Sequence, residues 1–304
     1  MGIDMHYTKP PLDFSQQADL LISRGLQANK KELQNFLEKV NYYRLTGYLY
    51  PFRKTNSDNF CDGTTLQQIK SIYTFDSKLR HLTFSAIEQI EISILRTQLV
   101  EEFTLHAGTF CYTNNQFFNG LAASEHQNLL FNIDQSVKRS REEFVKNYQK
   151  KYVSETYLPF WMVAEIISMS QLSKIFHYSP NAITIPIAKR YNLHSTILKN
   201  WLHVLTVIRN KTAHHSRLWN VGLAVRPRLP IRKYHPEFYS PYPIHNTSYQ
   251  SILAIMLYLL NIINTSNTLL SDFNKLLSNH PEVSISNLGL PVNWQDSPLF
   301  KIKS

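Results

Sequence analysis

The chain has 304 residues, 43% hydrophobic and 18% charged, and its 32 Lys and Arg outnumber 22 Asp and Glu, for a formal net charge of +10. This composition excludes a disordered or coiled-coil protein, and the length allows one large domain or two smaller ones with a hydrophobic core. Only 8 residues are Gly, which disfavours turn-rich all-β folds, and no Gly-rich phosphate-binding string occurs.

Apolar residues recur at helical spacing along most of the chain. The predicted helices, in chain order, span residues 15–23, 29–40, 64–102, 122–152, 159–166, 170–178, 183–191, 195–215 and 249–277. Thr64 and Thr65 have the side chains of an N-cap for the third of these. Residues 226–243 hold five of the 14 Pro and must be irregular. The apolar face of the last helix suits either a core or a dimer surface.

These elements predict an all-α protein with three parts. Residues 1–63 form a helical and aromatic segment that packs on the core, residues 64–280 form the main helical domain, and residues 281–304 form a tail. The longest apolar run, Ile252–Leu260, is too short to cross a membrane, and no apolar signal segment stands at the N-terminus. Cys61 and Cys111 are far apart and share no motif. We therefore expect a cytoplasmic protein with reduced thiols, no membrane contact, no metal and no cofactor.

The excess positive charge is confined to one segment. From Ile166 to Pro236, 71 consecutive residues contain no Asp or Glu, whereas 11 of the 32 Lys and Arg lie there. The other 21 Lys and Arg nearly balance the 22 Asp and Glu outside the segment. A field of this sign attracts polyanions but does not specify a fold.

The predicted helix at 195–215 interrupts its own apolar pattern. Arg209 lies about 40° from Leu205, inside the apolar stripe, so its guanidinium needs a carboxylate, carbonyl groups or a bound anion. Asn210 and His214 lie on the opposite side and can touch. In a regular helix Arg209 and His214 are about 140° apart. Three arrangements bring them to one substrate: a helix that ends or distorts near them, a long reach by the Arg side chain, or a second copy of the chain.

The string Arg209-Asn-Lys-Thr-Ala-His214 resembles the R-x(4–6)-H motif of HEPN ribonucleases. The longer string RNKTAHHSRLWN at 209–220 resembles the Abi-like abortive-infection proteins of the AbiD/AbiF type. Three further strings match this family: NYYRLTGYLYPF at 41–52, YTFDSKLR at 73–80 and IEQIEISILR at 87–96. Together the strings indicate a resemblance that covers about residues 12–280. The resemblance implies a HEPN-like helical bundle with additional N-terminal helices and an irregular Pro-rich loop. It also implies metal-independent RNA cleavage, where the Arg and His of two protomers meet.

The resemblance implies roles for three residues. His214 transfers protons, Arg209 binds the phosphate and stabilises the transition state, and Asn210 orients either His214 or the phosphate. His215 is the alternative working histidine. Glu88 and Glu91 are supporting residues, and Glu91 suits a salt bridge to Arg209, Arg80 or Arg96 better than a catalytic role. The cations expected to bind the RNA backbone are Arg217, Arg226, Arg228, Arg232, Lys233 and Lys211, although Arg217 could instead cap the helix C-terminus.

The sequence thus predicts a homodimeric endoribonuclease that acts as a toxin in phage defence. The first alternative is a non-catalytic RNA-binding HEPN module, held by a non-coding RNA or a protein antitoxin. The second alternative is a helical interaction protein whose basic surface binds an acidic antitoxin. RNA cleavage separates the first hypothesis from both alternatives, and RNA binding separates the two alternatives.

Overall fold

The computed structural model describes residues 10–301. Residues 1–9 and 302–304, which belong to the predicted N-terminal segment and tail, lie outside the described residues. Within 10–301 the regular elements are helices, no β-strand occurs, and the non-helical pairings are two isolated bridges, Gln27–Thr65 and Arg53–Phe60. The predicted all-α class is confirmed. No helix between residues 10 and 301 has both the length and the apolar character needed to cross a bilayer.

The chain divides into two compact units, the first of which extends to Lys78 and includes Leu276–Val283. Its helices are α1 (Phe14–Ser23), α2 (Lys30–Val40), α3 (Tyr42–Leu49) and the first part of α4 (Leu66–Ile90). The side chain of Asp13 caps α1 and that of Asn29 caps α2, while the Thr65 hydroxyl accepts from the N–H of Gln68 at the predicted start of α4. These caps explain why the helices begin where the sequence places them.

The second unit comprises Leu79–Lys275 and the described residues from Ser284 onward. After α4 comes a π-helix at Glu91–Gln98, followed by α5 (Leu99–Ala107), α6 (Ala123–Arg139), α7 (Glu143–Lys151), α8 (Phe160–Ile166), α9 (Met169–Tyr178), α10 (Asn181–Arg190), α11 (Ser195–Ala213), α12 (Tyr249–Ile263) and α13 (Leu269–Ser278). Every residue from Tyr249 to Leu257 is buried. The apolar face of α12 is therefore core, which decides an alternative that the sequence left open.

The predicted helix 64–102 continues to Ala107. Two other predicted helices are each divided in two, because polar side chains bond to the local backbone and interrupt them. The predicted helix 122–152 breaks at Ser140, which is extended and whose hydroxyl accepts from the N–H of Glu142 at 3.3 Å. The predicted helix 249–277 breaks after Ile263, where the side chain of Asn264 accepts from the N–H of Ser266 at 3.1 Å. Such side-chain bonds compete with helical ones. The predicted division of the chain at residues 63 and 280 stays a prediction.

Candidate functional site

Helix α11 carries the predicted motif and is fixed by its apolar face. The predicted core positions are buried: Leu198, Trp201, Leu202, Leu205 and Ile208. At the start of the helix the ring of His194 accepts from the N–H of Thr196, and in the middle the indole N–H of Trp201 donates to the carbonyl of Arg228 at 2.7 Å. The side chain of Asn200 accepts from the N–H of Arg228 at 2.6 Å. The first part of the Pro-rich loop is thus bonded directly to α11.

The helix ends at Ala213, close to the predicted end. His214 is its C-cap, and His215 adopts the left-handed conformation with φ of 56°. The N–H of His215 donates to the carbonyl of Thr212 at 3.0 Å, and the N–H of Ser216 donates to that of Lys211 at 2.8 Å. This pair of bonds is a Schellman motif, in which Gly usually takes the left-handed position. Both histidines are exposed and lie beyond the last helical turn, so the rotation of a regular helix no longer fixes their direction relative to Arg209.

Arg209 is partly buried and poorly bonded. Its guanidinium lies 5.6 Å from the ring centroid of Phe84, and its Nη1 donates to Oδ1 of Asn210 at 3.5 Å. Its Nε is buried without a hydrogen-bond partner, and Arg209 forms no ion pair within residues 10–301. A planar guanidinium that still has N–H groups to donate can bind two oxygens of a phosphate or carboxylate at once.

One side of Arg209 faces a cavity of about 310 Å³ with acidic walls. The cavity is lined by Phe84, Glu88, Glu91, Ile92, Arg96, Glu165 and Arg209. Glu91 is buried and accepts from Nε and Nη2 of Arg96 at 3.0 and 2.5 Å. Of the three partners predicted for Glu91, the structure therefore selects Arg96. Glu88 and Glu165 are exposed at the cavity rim, and no pattern in the sequence places Glu165 there.

Asn210 faces a second, basic cavity on the other side of α11. Its Nδ2 donates to Oγ of Ser170 at 3.4 Å. This cavity is lined by Ser170, Ser173, Lys174, His177, Tyr178, His203, Thr206, Val207 and Asn210. Sequence reasoning assigned no role to its basic residues, although the acid-free segment contains Lys174, His177 and His203. A groove of packed helices needs the α9–α11 pairing, which the sequence pattern does not reveal.

Burial and neighbouring cations together set the electrostatics of this cavity. Burial, and after it the charges of Lys199, His203 and Arg228, lower the pKa of His177 below its ordinary value. Burial also lowers the pKa of Lys199, whose Nζ donates to the carbonyl of Ser179 at 3.3 Å. Both effects disfavour the charged forms of the two side chains.

The other predicted RNA-binding residues are spread along the surface. Arg226, Arg228, Arg232 and Lys233 are exposed, while Lys211 and Arg217 are partly exposed. Arg232 lies over the ring of Tyr239 and Lys233 over that of Tyr234, at 5.9 and 5.6 Å from the centroids. Neither these two residues nor His214 line the two cavities beside α11. Arg228 is the one predicted residue whose charge acts on the basic cavity through His177.

Comparison with known protein families identifies the chain. A family model described as Abi-like protein matches residues 35–220, which cover more than half of the chain and include the whole stretch from Arg209 to Asn220. No curated protein and no solved structure matches the chain. Within the described residues no group of three or more His, Cys, Asp or Glu side chains is arranged to hold a metal ion.

Proposed function

The chain belongs to the Abi-like protein family, and from this premise we propose that it is a HEPN endoribonuclease that cleaves RNA without a metal ion. Membership of the family indicates a role in abortive infection and phage defence. The proposed enzyme acts there as a toxin. The observation that carries the proposal lies at the end of α11. There the guanidinium of Arg209, whose Nε has no hydrogen-bond partner, is followed by two exposed histidines.

The chemistry needs three functions at one phosphodiester. The 2′-hydroxyl must lose a proton, the charge on the phosphorus-bound oxygens must be stabilised, and the leaving 5′-oxygen must gain a proton. A histidine such as His214 serves as base or acid near neutral pH. The guanidinium of Arg209 binds two phosphate oxygens at once. Asn210, which already accepts from Arg209, holds that guanidinium in place.

A second copy of the chain completes the proposed site. Arg209 is the fifteenth residue of α11, whereas His214 lies beyond its end, and no hydrogen bond joins the two side chains within residues 10–301. His214 is exposed and can approach the Arg209 of a partner protomer. This arrangement supports a homodimer with a composite site.

The test is cleavage of total RNA by the purified protein in EDTA. We expect His214→Ala to slow cleavage by about a hundredfold or more, since general acid–base catalysis contributes that much. Arg209→Lys keeps the charge but loses the planar guanidinium that binds two phosphate oxygens, and we expect a similar loss of cleavage rate. His245→Ala, which removes another exposed histidine, is the matched control. Absence of cleavage by the parent, or equal cleavage by the parent and His214→Ala, contradicts the proposal.

The composite dimer has its own test. Neither Arg209→Ala nor His214→Ala protein should cleave RNA alone, but a mixture refolded or co-expressed together contains mixed dimers with one intact Arg–His pair. We expect the mixture to recover part of the parent activity. If the mixture is as inactive as its two components, the composite site is contradicted, whereas the proposed ribonuclease activity is not.

The second candidate function is that of a non-catalytic RNA-binding module, to which a non-coding RNA or a protein antitoxin binds. The exposed cations of the Pro-rich loop, such as Arg226 and Arg232, favour it because they bind phosphates without chemistry. It predicts tight, salt-sensitive RNA binding that survives His214→Ala, without cleavage by any variant.

A further inference from the structure

The basic cavity beside Asn210 is a groove between two antiparallel helices. Ser170, near the start of α9, bonds to Asn210, near the end of α11. Ser179, just after α9, bonds to Lys199, near the start of α11. The helices therefore run in opposite directions, and the groove extends along both of them. Its volume of about 430 Å³ lies in the range that holds a small ligand or a single nucleotide.

The charges in and around this groove are nearly all positive. Lys174 lines it, and the charges of Lys199 and Arg228 act from its end on His177, whose own charged form is disfavoured by burial. No Asp or Glu of residues 10–301 lines the groove. A carboxylate reaches its edge at Glu125, which lies 3.4 Å from Nζ of Lys174 at a half-exposed position. The cavity on the other side of Arg209 contains three Glu beside Arg96 and Arg209, so carboxylates line that side of α11 and not the groove.

Aromatic surface stands beside these cations. The rings of His177 and Tyr178 contact each other edge to face at 4.9 Å, and both side chains line the groove together with the ring of His203. Cations that follow a backbone, combined with rings on which bases stack, are the features of proteins that bind single-stranded nucleic acid. An acidic peptide would use the cations but not the rings.

Asn210 connects the groove to the proposed cleavage site. Its Nδ2 faces the groove through Ser170, and its Oδ1 accepts from Arg209. A phosphate held by Arg209 would therefore adjoin the end of the groove.

We infer that the groove between α9 and α11 binds the single-stranded RNA segment next to the cleaved phosphodiester, with phosphates on Lys174, Lys199 and Arg228 and a base against His177 and Tyr178. The inference rests on the proposed function for the identity of the ligand. It moves the main RNA contact from the Pro-rich loop, where the sequence placed it, to the groove between α9 and α11. From that loop, Arg228 acts on the groove through the effect of its charge on His177.

The test measures binding of a labelled single-stranded RNA whose 2′-hydroxyls are methylated, so that no cleavage can occur. We expect Lys174→Gln and Arg228→Glu each to weaken binding by about tenfold and to lower the slope of log affinity against log salt by about 0.7 for each phosphate no longer neutralised. His177→Gln, which removes a ring from the groove, should weaken binding by about fivefold or more. Lys150→Glu, an exposed residue on α7, is the charge control and should change binding by less than about twofold.

The outcomes separate this inference from the ribonuclease proposal. If the groove variants bind like Lys150→Glu, or if an RNA duplex binds as tightly as the single strand, the inference is overturned. If the groove variants lose binding but the parent never cleaves unmodified RNA, the groove stands and the ribonuclease proposal fails. If the parent cleaves RNA while the groove variants bind and cleave normally, only the groove inference fails.

Discussion

Glu91, which is buried, and Arg96, which is partly buried, form an ion pair across five positions of the chain, because the segment between them is π-helical. In an α-helix, residues five apart are separated by about 140° and do not face each other. In a π-helix the i→i+5 bonding brings them together, and Thr97–Ile92 and Gln98–Ser93 contacts follow the same spacing. Arg96 also donates to the carbonyls of Ala164 and Ile167 at the end of α8. Glu91 therefore pairs with Arg96 and not with Arg209.

Removing one member of this pair should destabilise the fold. We expect Arg96→Met to lower the free energy of unfolding by about 3 kcal/mol, since it leaves the buried Glu91 unpaired. The double variant Arg96→Met/Glu91→Gln should recover part of this loss. Urea denaturation followed by circular dichroism measures all three proteins. A loss below about 1 kcal/mol in Arg96→Met would show that the pair behaves like an exposed one.

The two adjacent histidines should respond differently to substitution. His215 occupies a left-handed position with φ of 56°, so His215→Gly should keep or raise stability, whereas His215→Ala should cost about 1 kcal/mol. If His214 is the working histidine, His215→Gly also retains RNA cleavage. Thermal denaturation and the cleavage assay test the two statements separately. Cleavage lost in a stably folded His215→Gly protein would assign the chemistry to His215 instead.

Stability should fall on acidification partly through His177. Burial and neighbouring cations place its pKa in the folded protein below the ordinary value of about 6.5. The unfolded chain therefore takes up the proton first, and the stability present above about pH 6.5 is lost as the pH falls through the folded pKa. His177→Gln should flatten the dependence of Tm on pH below about 6.5. A parallel decline in the parent and in His177→Gln would exclude this histidine as a cause.

The two thiols should differ in reactivity. Cys61 is exposed, whereas burial raises the pKa of the half-buried Cys111 to about 12. Since the thiolate is the reactive form, we expect a disulfide reagent at pH 8 to modify Cys61 rapidly and Cys111 only after unfolding. Cys61→Ser should abolish the fast phase. Two thiols that react at one rate in the native protein would contradict the assignment.

The helical content and the course of α11 follow from local sequence. Apolar spacing predicts its core face, and Trp219 and Gly222 downstream fit an end near His215, because such signals involve residues only a few positions apart. The breaks at Ser140 and Asn264 escape this reasoning, since side-chain bonds to the backbone compete with helical ones by a small margin. The π-helix escapes it as well, because nothing in the apolar spacing distinguishes i→i+5 from i→i+4 bonding.

The sequence by itself determined the all-helical class, the family, the order Arg209–Asn210–His214 and the confinement of the positive charge to one segment. Tertiary structure decided what each side of α11 faces. Phe84 and Glu165 come from distant segments to form the acid-lined cavity, and Ser170 and His177 come from α9 to form the basic groove. Charge along a chain is fixed by its residues, but the field in a cavity is the sum over all neighbours in space, and only the packing of distant helices sets those neighbours.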